Sequence, residues 1–190
     1  MGFTPDEFRK ALGMYPTGVT VVSGKTADGE ALGMTVNSFA SVSLKPPLIS
    51  FNLANSMRSL EAFRSLTTFA VNLLREDQTE VSRWFAKSGA DKWADTGHRS
   101  GEMASPILQP NFAVFECEPY AFHEAGDHVI VVGRVLHFET SEGVAPLVFF
   151  RGSYCGVVPS PRRIVEPTLN RETTDAERWG ELSQIPQGWA

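Results

Sequence analysis

The sequence predicts a mainly β fold, a β-barrel with a few peripheral helices, from three observations. At least seven runs are rich in β-branched and aromatic residues and are short enough for strands, among them residues 17–23, 35–44, 48–53, 67–74 and 129–138. Only two or three short segments carry helical periodicity, and they do not alternate with the strands as βα units would. No Gly-x-Gly-x-x-Gly follows a strand, so a nucleotide would have to be held by strand side chains and a helix end.

The bulk properties narrow the class. With 190 residues the chain is long enough for one domain and a sizeable core, and 42% hydrophobic with 21% charged residues is an ordinary globular balance. A net charge of −5 provides no basic field, which argues against a nucleic-acid partner. The N-terminus lacks a basic region followed by an apolar block, and no run has the ~18 apolar residues of a membrane span. The expected location is the cytoplasm. Cys117 and Cys155 then read as reduced, partly buried thiols, and no His or Cys spacing suits a metal.

The elements follow in order. Thr4 caps a helix, Pro5 takes its first position, Glu7 closes a capping box, and Phe8, Ala11 and Leu12 form its apolar face. Gly13 and Pro16 end it; a strand over 17–23 and a turn at Asp28-Gly29 come next. Residues 35–44 alternate as one strand, with the short neutral groups of Thr35, Asn37, Ser41 and Ser43 on one face. Such groups suit a bound polar molecule, although the periodicity alone fits a ligand-free strand pair equally well. Pro46-Pro47 makes a rigid turn into the strand at 48–53.

Asn55 or Ser56 caps a second helix with Met57, Leu60 and Phe63 on one face, and Arg58 and Ser59 in its first turn. Taken alone this is a cap beside a solvated arginine; next to the preceding strand pair it reads as a phosphate-binding helix end. A strand over 67–74 leads to a helix over 78–87 with Val81, Trp84 and Phe85 inward. Residues 88–105 read as a long polar surface loop of the kind that forms lids, anchored by Trp93. Strands at 111–117 and 120–123 are separated by Pro119, and Gly126-Asp127 turns into the strand that His128 starts. A last strand covers 146–158. Beyond it, residues 159–190 contain one helix near 174–182 and either pack on a dimer partner through Trp179 and Trp189 or are partly disordered.

The run Thr35-Val36-Asn37-Ser38-Phe39, then Ser43-Leu44-Lys45-Pro46-Pro47-Leu48, together with Gly126-Asp127-His128, resembles the flavin reductase family. Its members are split-barrel NAD(P)H:flavin oxidoreductases that serve two-component monooxygenases. The resemblance spans residues 4–158 and implies an FMN-binding split barrel there, with 159–190 as a C-terminal extension. It also implies FMN or FAD as flavin, NADH or NADPH as hydride donor, a homodimer, and a partner monooxygenase fed by diffusible reduced flavin.

For the site, the resemblance and the chemistry flavin demands together name a set of residues. Thr35, Val36 and Asn37 with Leu53, Ala54 and Asn55 would face the ring edge; Ser38, Ser41, Arg58 and Ser59 would hold ribityl and phosphate oxygens. Phe85 with its small neighbour Ala86 would close over the ring. His128 would line the nicotinamide pocket, as a positioning group and not a general base, with Arg151 and Tyr154 near the same site. The alternatives are a split-barrel protein that binds flavin without catalysis, and an oxidase of the pyridoxamine phosphate type, whose basic phosphate cluster is not evident here.

Overall fold

The computed structural model describes residues 2–89 and 91–158. Helix α1 (Pro5–Leu12) starts as its chemistry dictates: the Thr4 hydroxyl accepts the Glu7 N–H, and the Glu7 carboxylate accepts the Thr4 N–H at 2.7 Å. Its apolar face is solvent-facing among the described residues, with Phe8 and Leu12 exposed and no residue of the helix buried.

The main body is one seven-stranded sheet in the order β3-β2-β6-β9-β10-β5-β4, antiparallel at every pairing. Its members are β2 (Thr20–Lys25), β3 (Ala31–Val36), β4 (Ala40–Leu44), β5 (Pro47–Ala54), β6 (Phe69–Leu73), β9 (Ala113–Ala125) and β10 (His128–Thr140). β1 (Thr17–Gly18) joins β11 (Val148–Phe150) and β12 (Ser153–Cys155) in a small second sheet, and β7 (His98–Ser100) pairs with β8 (Pro106–Leu108). Helices α2 (Leu60–Arg64) and α3 (Thr79–Phe85) are short and lie outside the sheet ladder. The architecture is mainly β, as the sequence implies.

β2 shows why the sheet needs two covers. Val22 enters a cluster with Phe51, Phe63, Phe69 and Val131, while its neighbour Val21 enters another with Leu74, Phe85, Trp93, Leu108 and Leu147. Successive side chains point to opposite faces, so both faces of β2 are buried. In the first cluster Phe51, Phe63 and Phe69 pack mutually with centroids 5.5–5.8 Å apart. Each such side chain contributes roughly 1.5–3 kcal/mol by leaving water. Buried Asn72 docks β8 on the sheet: its amide donates to Val21 O and the Ser23 hydroxyl, and its oxygen accepts from Leu108 N.

Five expectations are corrected. The strand expected over 35–44 breaks at residues 37–39, because β3 pairs with β2 whereas β4 pairs with β5 at the far margin of the sheet. The crossing is held by the Asn52 N–H donating to the Ser38 hydroxyl (2.9 Å) and by Phe39 stacked on Phe115. Helix α2 begins only at Leu60, with Ser59 at the cap position and no side-chain cap bond. Asn55 is drawn away from capping: its N–H donates to Asp127 O and its side chain to Gly126 O.

Residues 88–105 form no free lid. Lys92 donates to Gly33 O (3.0 Å) and Phe85 O (2.9 Å), Trp93 is buried as the anchor expected of it, and β7 lies within the segment. Pro119 does not divide β9, since it sits opposite Gly133 where the register shifts, and that bulge absorbs the missing N–H. The last strand is a hairpin, β11 and β12, turned by Arg151 (φ 51°) and Gly152 (φ 79°). The C-terminal extension lies outside the described residues. Among the described residues no helix is long and apolar enough to cross a membrane, and no His/Cys/Asp/Glu cluster could hold a metal.

Candidate functional site

An open groove of about 1410 Å³ runs along the break between β3 and β4. Three strand ends and two helix ends line it. β3 and the crossing segment contribute Thr35, Val36, Asn37 and Ser38; the end of β5 and the turn after it contribute Asn52, Leu53, Ala54, Arg58 and Ser59. The C-terminal end of α3 contributes Phe85 and Ala86, and β10 contributes His128.

His128 reaches the groove through strand register. It pairs with Ala54 on one side and Ala125 on the other, so the first residue of β10 lies beside the last residue of β5. Gly126 at φ 66° makes the two-residue hairpin turn that permits this. The ring Nδ1 is 2.7 Å from Asp127 Oδ1. An ionised carboxylate only accepts, so Nδ1 carries the hydrogen, and a neutral ring presents the Nε2 lone pair. The same hydrogen bond holds the Asp127 carboxyl below the usual carboxylate range.

The polar groups differ in what they have left to offer. The Thr35 hydroxyl donates to Ser82 O at 2.7 Å, so its hydrogen is committed to α3. The Ser38 oxygen accepts from Asn52 N–H, which leaves its hydrogen free for an acceptor. Arg58 is exposed and makes no ion pair among the described residues. At the α3 end lie Lys87, 5.0 Å over the Trp84 ring, and Lys92, whose ammonium burial pulls below the usual lysine range. The Lys92 ammonium has three N–H groups and spends two on carbonyls.

This donor set fits a flavin nucleotide. Val36, Leu53, Ala54 and Met57 supply an apolar wall and Ser38 and Asn37 short neutral groups, and Arg58 with Ser59 would be the partners of a phosphate. Not every expected residue comes to the groove. Ser41 is exposed on the marginal strand β4, and Asn55 is spent on the hairpin turn. Arg151 is exposed in the β11–β12 turn with its guanidinium over Phe150, and Tyr154 bonds the Ser82 hydroxyl (2.9 Å) behind α3. Neither lines the groove.

Phe85 lines the wall but is only 1% exposed, edge-on to Trp93 at 4.8 Å, so it is a fixed support and not a cover that closes. Gly33, Lys92 and Trp93 were missed among the groove residues. The pair Lys92-Trp93, an amphipathic cation and a large aromatic inside a polar stretch, was the available signal. Gly33 carried none, because its need arises only from the Phe85 ring that meets it in three dimensions.

The family pattern described as "Flavin reductase like domain" matches residues 12–158. The chain is 41% identical over 148 residues to the reductase component of a flavin-dependent trigonelline monooxygenase from Acinetobacter baylyi, covering 78% of this chain and 47% of that one. It is 39% identical over 152 residues to a flavin reductase of Pseudomonas putida, covering 80% of this chain and 89% of the relative. Two of the curated relatives are thus about twice as long, the chain spanning 49% and 47% of their lengths. Among solved structures, an NADH:FAD oxidoreductase of Streptomyces globisporus in complex with NAD and FAD fragments superposes with a TM-score of 0.78 at 32% identity. That match covers 82% of this chain and 94% of the other. The curled antiparallel sheet, the groove at its broken margin and these matches converge: the chain belongs to the flavin reductase like domain family and has its split-barrel fold.

Proposed function

We propose that this chain is an NAD(P)H:flavin oxidoreductase that reduces FMN or FAD with NADH or NADPH and releases the reduced flavin to a partner monooxygenase. The observation that carries the reading is that one groove gathers Thr35 to Ser38, Leu53 and Ala54, Arg58 and Ser59, and His128 from segments far apart in sequence. Its volume exceeds the roughly 300–1,000 Å³ of a single drug-sized ligand site, which is in keeping with more than one bound ligand. Basic groups lie on both of its arms, Arg58 after β5 and Lys87 with Lys92 after α3, which suits two phosphate-bearing ligands. That favours a two-substrate enzyme over a flavin carrier.

When bound, flavin supplies acceptance of a hydride from the reduced nicotinamide. The protein's part is orientation and charge. The apolar wall excludes water from one side of the ring, and Arg58 with Ser59 and the Ser38 hydroxyl fix the ribityl phosphate end. His128 positions the nicotinamide by accepting a carboxamide N–H on Nε2, and no proton leaves the protein in that step. Arg151 and Tyr154 approach the nicotinamide only if the C-terminal hairpin moves toward the groove; their first role is outside it.

A homodimer is proposed on the exposed apolar side chains of β4, β9 and β10, among them Leu44, Tyr120 and Phe138. Oxidation of NADH and NADPH, followed by nicotinamide absorbance with FMN, FAD and riboflavin in turn, tests the activity. Oxidation with at least one pairing is expected. Flavin binding without oxidation in any pairing would leave only the carrier, and no flavin binding would remove both.

A further inference from the structure

Tyr154 stands outside the groove, yet it is joined to it by two hydrogen bonds that meet on a single residue. Its hydroxyl is 2.9 Å from the Ser82 hydroxyl, and the Ser82 carbonyl accepts the Thr35 hydroxyl at 2.7 Å. Ser82 is fully buried, so neither of its groups has water as an alternative partner. The Ser82 carbonyl also takes the Ala86 N–H at 3.1 Å, which closes the last turn of α3 beside the groove residues Phe85 and Ala86.

The direction of the second bond is not open to choice. A carbonyl only accepts, so Thr35 must donate, and its oxygen faces a ligand with lone pairs alone. The sequence places Thr35 at the ring edge without giving this direction. Three residues further along the same segment Ser38 has the complementary polarity, since its oxygen accepts from Asn52 N–H and its hydrogen is free.

We propose that Tyr154 is a positioning residue for this groove: through the Ser82 hydroxyl it holds the last turn of α3 in register with β3, and thereby fixes Thr35 as a hydrogen-bond acceptor toward a ring N–H of the bound flavin. The inference rests on the flavin reading of the groove. Oxidised isoalloxazine carries one ring N–H, at N3, and lumiflavin carries no ribityl hydroxyls, so it isolates this contact. Arg83 lies 5.6 Å over the Tyr154 ring, a contact that a phenylalanine in its place retains.

The test measures dissociation constants of lumiflavin and 3-methyllumiflavin by fluorescence quenching, for the full chain and for Tyr154→Phe, Thr35→Val and the double variant. The full chain should prefer lumiflavin by about tenfold, the worth of one hydrogen bond in a partly dry site. Thr35→Val should abolish the preference, Tyr154→Phe should narrow it to about threefold, and the double variant should match Thr35→Val alone, because both act on one contact. Ser82→Ala removes the same bond from the other side and replaces Tyr154→Phe if that variant does not fold.

A Tyr154 that merely stabilised the fold would lower the melting midpoint and leave the preference of the full chain unchanged, which would overturn the proposal. Losses in Tyr154→Phe that add to those of Thr35→Val would do the same. A full chain that binds both ring systems equally would refute the acceptor role while leaving the flavin site intact. A chain that binds neither would bring down the functional reading and this inference with it.

Discussion

Substituting Gly33 by alanine should destabilise the fold and the groove together, by an amount the structure bounds. A Cβ built at Gly33 would lie 2.4 Å and 2.6 Å from two atoms of the Phe85 ring and 3.0 Å from Trp93 Cζ2. Ordinary contact begins near 3.4 Å, so the Phe85 ring must retreat by 3.4 − 2.4, about 1 Å. It has nowhere to go, since Phe85 is 1% and Trp93 6% exposed and each ring backs the other. The φ of Gly33 lies outside the left-handed region, so the cost is steric and not conformational. Overpacking costs about 1–3 kcal/mol, and two immobile aromatic rings place this site at about 2–3. For a domain of this size that lowers the melting midpoint by about 4–12 °C.

Circular dichroism melts of Gly33→Ala and of Gly18→Ala make the comparison, Gly18 having nothing within 4 Å of its Cβ position. Gly18→Ala should stay within about 0.5 kcal/mol of the parent. Flavin affinity should fall in Gly33→Ala alone, because Gly33, Phe85 and Trp93 all line the groove. A Gly33→Ala midpoint within about 1 °C of Gly18→Ala would refute the packing argument.

Arg58→Ala should weaken FMN binding by about tenfold and leave riboflavin unchanged, as a charged contact to the phosphate requires, and the FMN loss should shrink in high salt; equal losses for both flavins would remove the phosphate role. His128→Ala should raise the KM for the reduced nicotinamide about tenfold with the flavin dissociation constant within about twofold, and parallel losses would show that His128 holds the flavin instead. Cys155, partly exposed, should react first with a thiol reagent at mild pH, while Cys117, whose thiol burial pushes up to about 12, should react only on unfolding. Because folded Cys117 keeps its proton where the unfolded chain has released it, stability should fall as pH climbs from 9.0 toward about 12. A Cys117→Ser melting profile with the same alkaline slope as the parent would contradict that.

What could be read from the sequence is what near neighbours decide. Thr4, Pro5 and Glu7 determine the start of α1 among themselves, and Gly126 with Asp127 determines a hairpin, so both were legible. The break at 37–39 was not, because the alternation of residue types runs straight through it while the chain bends at Asn37. Pro119 misled for the opposite reason, since the residue that excuses it, Gly133, lies on another strand. The site follows the same division. Residues in the motif runs, Thr35 to Ser38 and His128, reach the groove, whereas the hydrogen-bond direction of Thr35 depends on Ser82 and was invisible from the local pattern.

The three-residue tether between β3 and β4 has a consequence for how the protein responds to its ligand. The two outermost strands of the sheet are bound by a leash that reaches no more than about 14 Å. A nucleotide seated across that leash would act as a buckle, clasping margins that no ladder of hydrogen bonds joins. Saturation should lift the unfolding temperature beyond what its own contacts with either margin would suggest, and cutting the leash by circular permutation should unseat the guest and unfurl the ribbon in one event.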